Sequence, residues 1–255
     1  MSANIKKILI IGATSGLGEA FARHFHSTGK KVIAAGRRID RLHALQSELP
    51  GLETIQLDVT DFANLESNLT SIITTHPDLD SVFIMSGKQD VTDFKNPAST
   101  SSPSIIAEVN TNLVAPLLIS RLVVPHLLAR PGPATLITVS SGLGFVPVPR
   151  WPVYDATKAG IHAFSVALRA QLDGTNVNVV ELVPPHVDTP LDALHRKHPG
   201  GEVPLPMPLD VYMATAVKGF ETEGVKEIAT GFSEIGVKAW RGAFGPILEH
   251  VGIRG

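Results

Sequence analysis

Short runs that are apolar at every position alternate along this chain with longer segments of helical period, and that rhythm limits its fold more than any other feature. The runs are Ile8 to Ile11, Val32 to Ala35, Thr54 to Leu57, Val82 to Met85, Leu136 to Val139 and Val177 to Val183, with a weaker seventh around Glu227 to Phe232. A strand with one wet face alternates apolar and polar residues; a run that is apolar throughout is buried on both faces, as parallel strands between helix layers are. Amphipathic segments fill the gaps. Leu17, Phe21 and Phe25 recur every four residues, and Leu65, Leu69, Ile72 and Ile73 repeat the pattern. Repeated βα units of this kind predict an α/β fold: a doubly wound parallel sheet of about seven strands, helices on both faces, with ligands at the carboxyl ends of the strands.

The chain of 255 residues is long enough for one large domain, and no internal repeat or linker divides it. One stretch breaks the rhythm. Residues 184–208 hold Pro184, Pro185, Pro190, Pro199, Gly200, Gly201, Pro204, Pro206 and Pro208, a loop long enough to cover a substrate. A formal net charge of -2 gives no footprint for nucleic acid or an anionic membrane. The absence of cysteine rules out disulfides and Cys-ligated metal. With no signal-peptide pattern, a soluble cytoplasmic protein is expected. Ten histidines invite a metal reading, yet His24, His26, His195 and His198 lack ligand spacing such as His-Glu-x-x-His, so no metal is expected.

Directly after the first run comes Gly12-Ala-Thr-Ser-Gly16-Leu-Gly18, followed by an amphipathic segment. Glycines there let the backbone turn tightly and let a pyrophosphate reach the N–H groups of a helix N-terminus; Thr14 and Ser15 add hydroxyls. The second run ends Gly36-Arg37-Arg38. An acidic residue at that strand end bonds the ribose of NAD, whereas arginine accommodates the 2′-phosphate of NADP, so NADP(H) is favoured over NAD(H). The third ends in Asp58-Val59, whose carboxylate can accept from an adenine amino group.

Tyr154 and Lys158 lie four residues apart in a helical run, one turn apart on one face. A phenol titrates near pH ~10, too high for proton transfer at neutral pH. A neighbouring ammonium stabilises the phenolate and brings that value down.

Together these residues resemble the short-chain dehydrogenase/reductase family over nearly the whole chain. Gly12-x-x-x-Gly16-x-Gly18, with Leu17 inside it, resembles the family's cofactor fingerprint, and Asp58 its adenine-site aspartate. Asn112, supported by Leu113 and Ala115, resembles its catalytic asparagine, although Asn110 lies two residues earlier. Ser141, thirteen residues before Tyr154, matches the catalytic serine better than Ser140 does. Pro184-Pro185-His186-Val187-Asp188-Thr189 resembles the family's Pro-Gly-x-x-x-Thr element at the nicotinamide, with Pro184, Val187 and Thr189 as its contacts. Two departures stand out. The family's Asn-Asn-Ala-Gly after strand four reads Ile84-Met85-Ser86-Gly87, and Pro185 replaces a glycine.

The resemblance implies a single NAD(P)-binding Rossmann domain over 1–255. It implies hydride transfer between nicotinamide and a carbonyl or alcohol. Tyr154 would be proton donor, Ser141 would bond the developing alkoxide, Lys158 would lower the Tyr154 pKa and bond the ribose, and Asn112 would hold a relay water. A non-catalytic NADP(H) sensor or a member with non-redox chemistry is the alternative. The expected substrate wall is Leu143, Phe145, Val146, Pro147, Val148, Pro149, Trp151 and Pro152, which suits a hydrophobic small molecule; Arg150 and His186 are further candidates for contact. The family pairs subunits through helices equivalent to 105–129 and 154–172, so a homodimer or homotetramer is expected.

Overall fold

A computed structural model describes residues 4–191 and 205–253. Seven strands are described: β1 (Lys7–Ile11), β2 (Lys31–Gly36), β3 (Glu53–Gln56), β4 (Ser81–Ile84), β5 (Ala134–Val139), β6 (Val177–Val183) and β7 (Glu227–Ala229). All pair in parallel, in the order β3-β2-β1-β4-β5-β6-β7. Among the described residues eight α-helices connect and follow them: α1 (Gly16–Ser27), α2 (Ile39–Glu48), α3 (Leu65–Thr75), α4 (Ser102–Val109), α5 (Ala115–Leu128), α6 (Pro152–Gln171), α7 (Leu209–Glu221) and α8 (Phe232–His250). The expected doubly wound α/β sheet is the one observed. Its order reverses at β1, whose neighbours are β2 and β4. That reversal opens a crevice at the carboxyl ends of the strands.

Successive residues of β1 explain why its run is apolar throughout. Leu9 and Ile11 enter the core layer formed with α3 and α5, while Ile8 and Ile10 enter the layer formed with α1, α2 and α7. In the second layer Phe21 stands 5.1 Å from Phe83 and 5.7 Å from Phe220, ring centre to ring centre.

Two expected elements differ in detail. The seventh run stops at Ala229; Gly231 takes φ 57 and Phe232 opens α8 instead of extending the strand. The expected helix 105–129 is α4 and α5 joined by a π turn, Asn110–Val114. The span Ser102–Leu128 is apolar enough to cross a membrane by length and composition. In this fold Ala115, Ile119, Val123 and Leu127 pack it onto the sheet as a core helix.

Candidate active site

The crevice is a cavity of about 1400 Å³. Its floor is bare backbone. The N–H groups of Gly12 and Ala13 both donate to the Ala35 carbonyl, at 2.8 and 3.0 Å, pinning the turn onto β2. Gly12 has φ 102, and a Cβ on it would lie 2.7 Å from the Ser86 nitrogen. A Cβ on Gly18 would lie 2.2 Å from the Gly12 carbonyl oxygen, so α1 starts this close to the turn only because residue 18 is glycine. A dinucleotide pyrophosphate needs such an open approach to a helix N-terminus, and these residues fit it.

The end of β2 is equally specific. A Cβ on Gly36 would come within 2.6 Å of Thr14 Cγ2, which leaves no room for an acidic side chain unless Thr14 moves. Arg38 turns inward: its Nε and Nη2 donate to Thr14 Oγ1 at 3.0 and 2.6 Å, and Nη2 donates to Ser15 Oγ at 2.6 Å. Arg37 also lines the cavity. Asp58 accepts from the Thr60 N–H and hydroxyl at 2.9 and 2.7 Å, which fixes its carboxylate at the rim. Leu17, Val59, Gly87, Pro184, Val187 and Thr189 line the same space.

At the other end stand Ser141, Tyr154 and Lys158. Ser141 caps a short 3-10 turn (Gly142–Gly144), its Oγ accepting from the Leu143 N–H at 3.2 Å. Lys158 Nζ lies 5.4 Å from the Tyr154 ring centre and donates to the Val139 carbonyl at 2.8 Å. Burial brings the Lys158 ammonium down to about 8, against the pull of the Glu108 and Glu181 carboxylates.

Asn112 sits behind the cavity wall; Asn110 and Thr111 face the space. The Asn112 amide clamps the loop after β4: Oδ1 accepts from the Lys88 N–H at 2.8 Å and Nδ2 donates to the Lys88 carbonyl at 2.7 Å and to Thr157 Oγ1 at 3.2 Å. This clamp steadies the segment where Met85-Ser86 replace the family's asparagines. Met85 also extends the sheet bonding, its N–H donating to the Ile11 carbonyl at 2.7 Å. Pro116, four residues after Asn112, has no N–H to give the Asn112 carbonyl, which fits the π turn at this point.

The short chain dehydrogenase family matches residues 6–200. The chain belongs to that family. It is 37% identical over 194 residues to the uncharacterized oxidoreductase DltE of Bacillus subtilis (strain 168), covering 76% of each chain. It is 34% identical over 178 residues to the NADP-dependent 3-hydroxy acid dehydrogenase YdfG of Escherichia coli (strain K12), covering 69% of this chain and 71% of that one. Among solved structures, serine dehydrogenase from Escherichia coli superposes with TM-score 0.73 at 28% identity, over 88% of this chain and 96% of that chain. A short-chain dehydrogenase from Sphingobium yanoikuyae in complex with NADPH shares the fold, with TM-score 0.81 at 21% identity over 96% and 95% of the two chains. As a member of this family the protein is an oxidoreductase.

Against the family pattern the loop after β6 keeps its anchorage despite Pro185. The Gly142 N–H donates to the Pro184 carbonyl at 3.0 Å, and 186–188 pair with Met207, which donates to the His186 carbonyl at 2.8 Å and accepts from the Asp188 N–H at 2.9 Å. The middle of the 184–208 loop, with His195 and His198, lies outside the described residues. The expected substrate wall needs correction. Leu143, Val148 and Trp151 line the cavity, but Phe145, Val146, Pro147, Pro149 and Pro152 do not. Phe145 instead packs on His162, ring centres 4.3 Å apart, and against Gly236 of α8. Arg150 is not on the wall either; its guanidinium stacks 5.4 Å over Trp151. The missing wall comes from Ile106 of α4, Leu205, Met207 and Phe232, with His186 beside them. Glu108 and Asp155 were also unforeseen. Both are buried, and burial raises their carboxyls to about 7 and about 6. Among the described residues no cluster of metal-ligating side chains occurs.

Proposed function

We propose that this protein is an NADP(H)-dependent reductase or dehydrogenase of a hydrophobic carbonyl or alcohol compound. The observation that carries the reading is one continuous cavity with the glycine turn, Arg37 and Arg38 at one end and Ser141, Tyr154 and Lys158 at the other. The printed NADP-dependence of YdfG, and the tight fit of Gly36 against Thr14, support the phosphorylated cofactor. The apolar wall of Leu143, Val148, Trp151, Leu205 and Phe232 supports a substrate with an apolar body. That differs from the hydroxy acid and serine in the relatives' names, so the substrate panel must include all three classes.

Bound NADPH supplies the reducing equivalent to the substrate carbonyl carbon. Tyr154 gives its proton to the carbonyl oxygen, and Ser141 donates a hydrogen bond to the same oxygen, stabilising charge as it develops. Lys158, protonated in its buried site, holds the Tyr154 phenolate side of that exchange at low cost. The Asn112 side chain is committed to Lys88, so its main-chain carbonyl is the group left to hold a relay water. The whole chain acts as a single domain. A reducing cytoplasmic setting suits a chain without cysteine, and a homo-oligomer suits the apolar residues exposed on α8, Ile235, Phe244 and Ile247.

The test is NADPH oxidation by the purified protein with hydrophobic ketones and aldehydes, 3-oxo acids and the oxidised form of serine. Tyr154→Phe should keep NADPH affinity and lose on the order of 10²-fold or more in turnover. Full turnover in that variant would remove Tyr154 from the mechanism.

A further inference from the structure

Glu181 occupies the middle of β6 among Val179, Val180, Leu182 and Val183, and is fully buried. A carboxylate in such a place is costly unless it is paired and hydrogen-bonded, and a valine would fill the strand without that cost. Both of its oxygens are engaged. The Ser140 hydroxyl donates to Oε1, and His162 Nδ1 donates to Oε2 at 2.9 Å and to Oε1 at 3.2 Å. An ionised carboxylate only accepts, so the imidazole proton sits on Nδ1. Both partners adjoin reacting groups. Ser140 is the chain neighbour of Ser141; His162 lies one helical turn past Lys158 and two past Tyr154, on the same face of α6. Phe145 and Trp240 hold the imidazole from two sides, each ring centre 4.3 Å away.

We propose that Glu181 is a positioning residue: it ties the end of β5, which carries Ser141, to the helix face of Tyr154 and Lys158, and serves as buried counter-charge to the Lys158 ammonium. The proposal rests on the reductase reading and deepens it. The surrounding charges are few. Glu181 faces Lys158, His162 and Arg169 of α6, and Arg169 has its own partner in Glu227 of β7 at 2.9 Å, which Arg241 of α8 also bonds. Lys158 faces Glu181 and, from α4, Glu108, which Asp155 influences in turn. Glu108 accepts from the Asp90 N–H at 3.2 Å, whereas Glu181 accepts from Ser140, the residue after Val139, whose carbonyl takes the Lys158 ammonium at 2.8 Å, so Glu181 joins charge to position.

Glu181→Gln keeps the size and the bond from Ser140 and removes the charge. The Lys158 titration is read by NMR in protein labelled with 13Cε-lysine, the resonance assigned with Lys158→Met, beside the pH profile of NADPH oxidation. The Lys158 titration should move to lower pH by about one unit. The alkaline fall of kcat should move with it, costing about fivefold at pH 8 as the protonated fraction drops. A Lys158 titration unmoved in folded Glu181→Gln overturns the counter-charge. Ser140→Ala, which leaves the charge in place, should lower kcat with the Lys158 titration unmoved; an unaltered kcat there overturns the tie. If Lys158 responds to Glu181→Gln but no carbonyl is turned over by the native protein, the electrostatic link stands and the reductase reading is what fails.

Discussion

Arg37 and Arg38 adjoin in sequence and differ in work. Arg38 spends its donors on Thr14 and Ser15, so it stiffens the glycine turn on which either cofactor would rest. Arg37 makes no such tie; its guanidinium is exposed beside the cavity and bears on Lys88 by repulsion. Charge-assisted bonds from guanidinium to phosphate are strong and specific. Arg37→Ala is therefore expected to raise the KM for NADPH about tenfold or more and to leave that for NADH within about twofold. Arg38→Ala should raise both, because the turn itself loosens. Steady-state kinetics with the two cofactors checks this; equal losses in Arg37→Ala would assign the 2′-phosphate to another group.

The elements owe their placement to a few close approaches, and these make the sharpest stability test. Gly18→Ala sets a methyl 2.2 Å from the Gly12 carbonyl oxygen, backbone against backbone, so α1 must retreat from the turn. A loss of about 2 kcal/mol or more in urea unfolding is expected. Gly132→Ala, whose methyl meets nothing within 4 Å, should stay within about 0.5 kcal/mol. A small loss in both would mean that the turn yields freely. The same locality decides what was legible in the sequence. Strands such as β1 and β6 declare themselves because both faces are apolar, and the cofactor turn, Ser141, Tyr154 and Lys158 lie in short motifs whose spacing carries their geometry. The seventh run was legible at Glu227 but not at its end, because Phe232 reads as more strand although Gly231, at φ 57, caps the start of α8. The substrate wall held only at Leu143, Val148 and Trp151 for a similar reason: Phe145 and Val146 are near Tyr154 in sequence, but α8 takes them through Gly236. Glu181 with His162 and Ser140, and Glu108 beside Lys158, join residues far apart in the chain. No local pattern announces such pairs.

At the scale of the molecule, the buried charges divide the pH axis into two windows. Glu108 ionises near 4.5 in the unfolded chain and near 7 in the fold, because burial opposes its charge. Below about 4.5 it is neutral in both states and stability does not depend on it. As pH rises to about 7 the unfolded chain gives up this proton more readily, so stability falls, and the full loss persists above. Asp155, raised to about 6, acts in the same direction at lower pH. Lys158 acts oppositely. Its folded value of about 8 lies below the ordinary 10.5, so between those values the unfolded chain holds the extra proton and stability climbs with pH. Stability should thus be lowest between about pH 7 and 8, where a charged Glu108 and a charged Lys158 are both buried. At about 1.4 kcal/mol per unit of displacement, Glu108→Gln should raise the urea unfolding free energy at pH 8 by on the order of 3 kcal/mol more than at pH 4. Equal effects at the two pH values would show that ionised Glu108 is not buried at a cost. A gain confined to pH 8 would mean that the fold keeps a destabilising carboxylate beside Lys158. The loss of turnover in the same variant would then measure what that carboxylate contributes to the site.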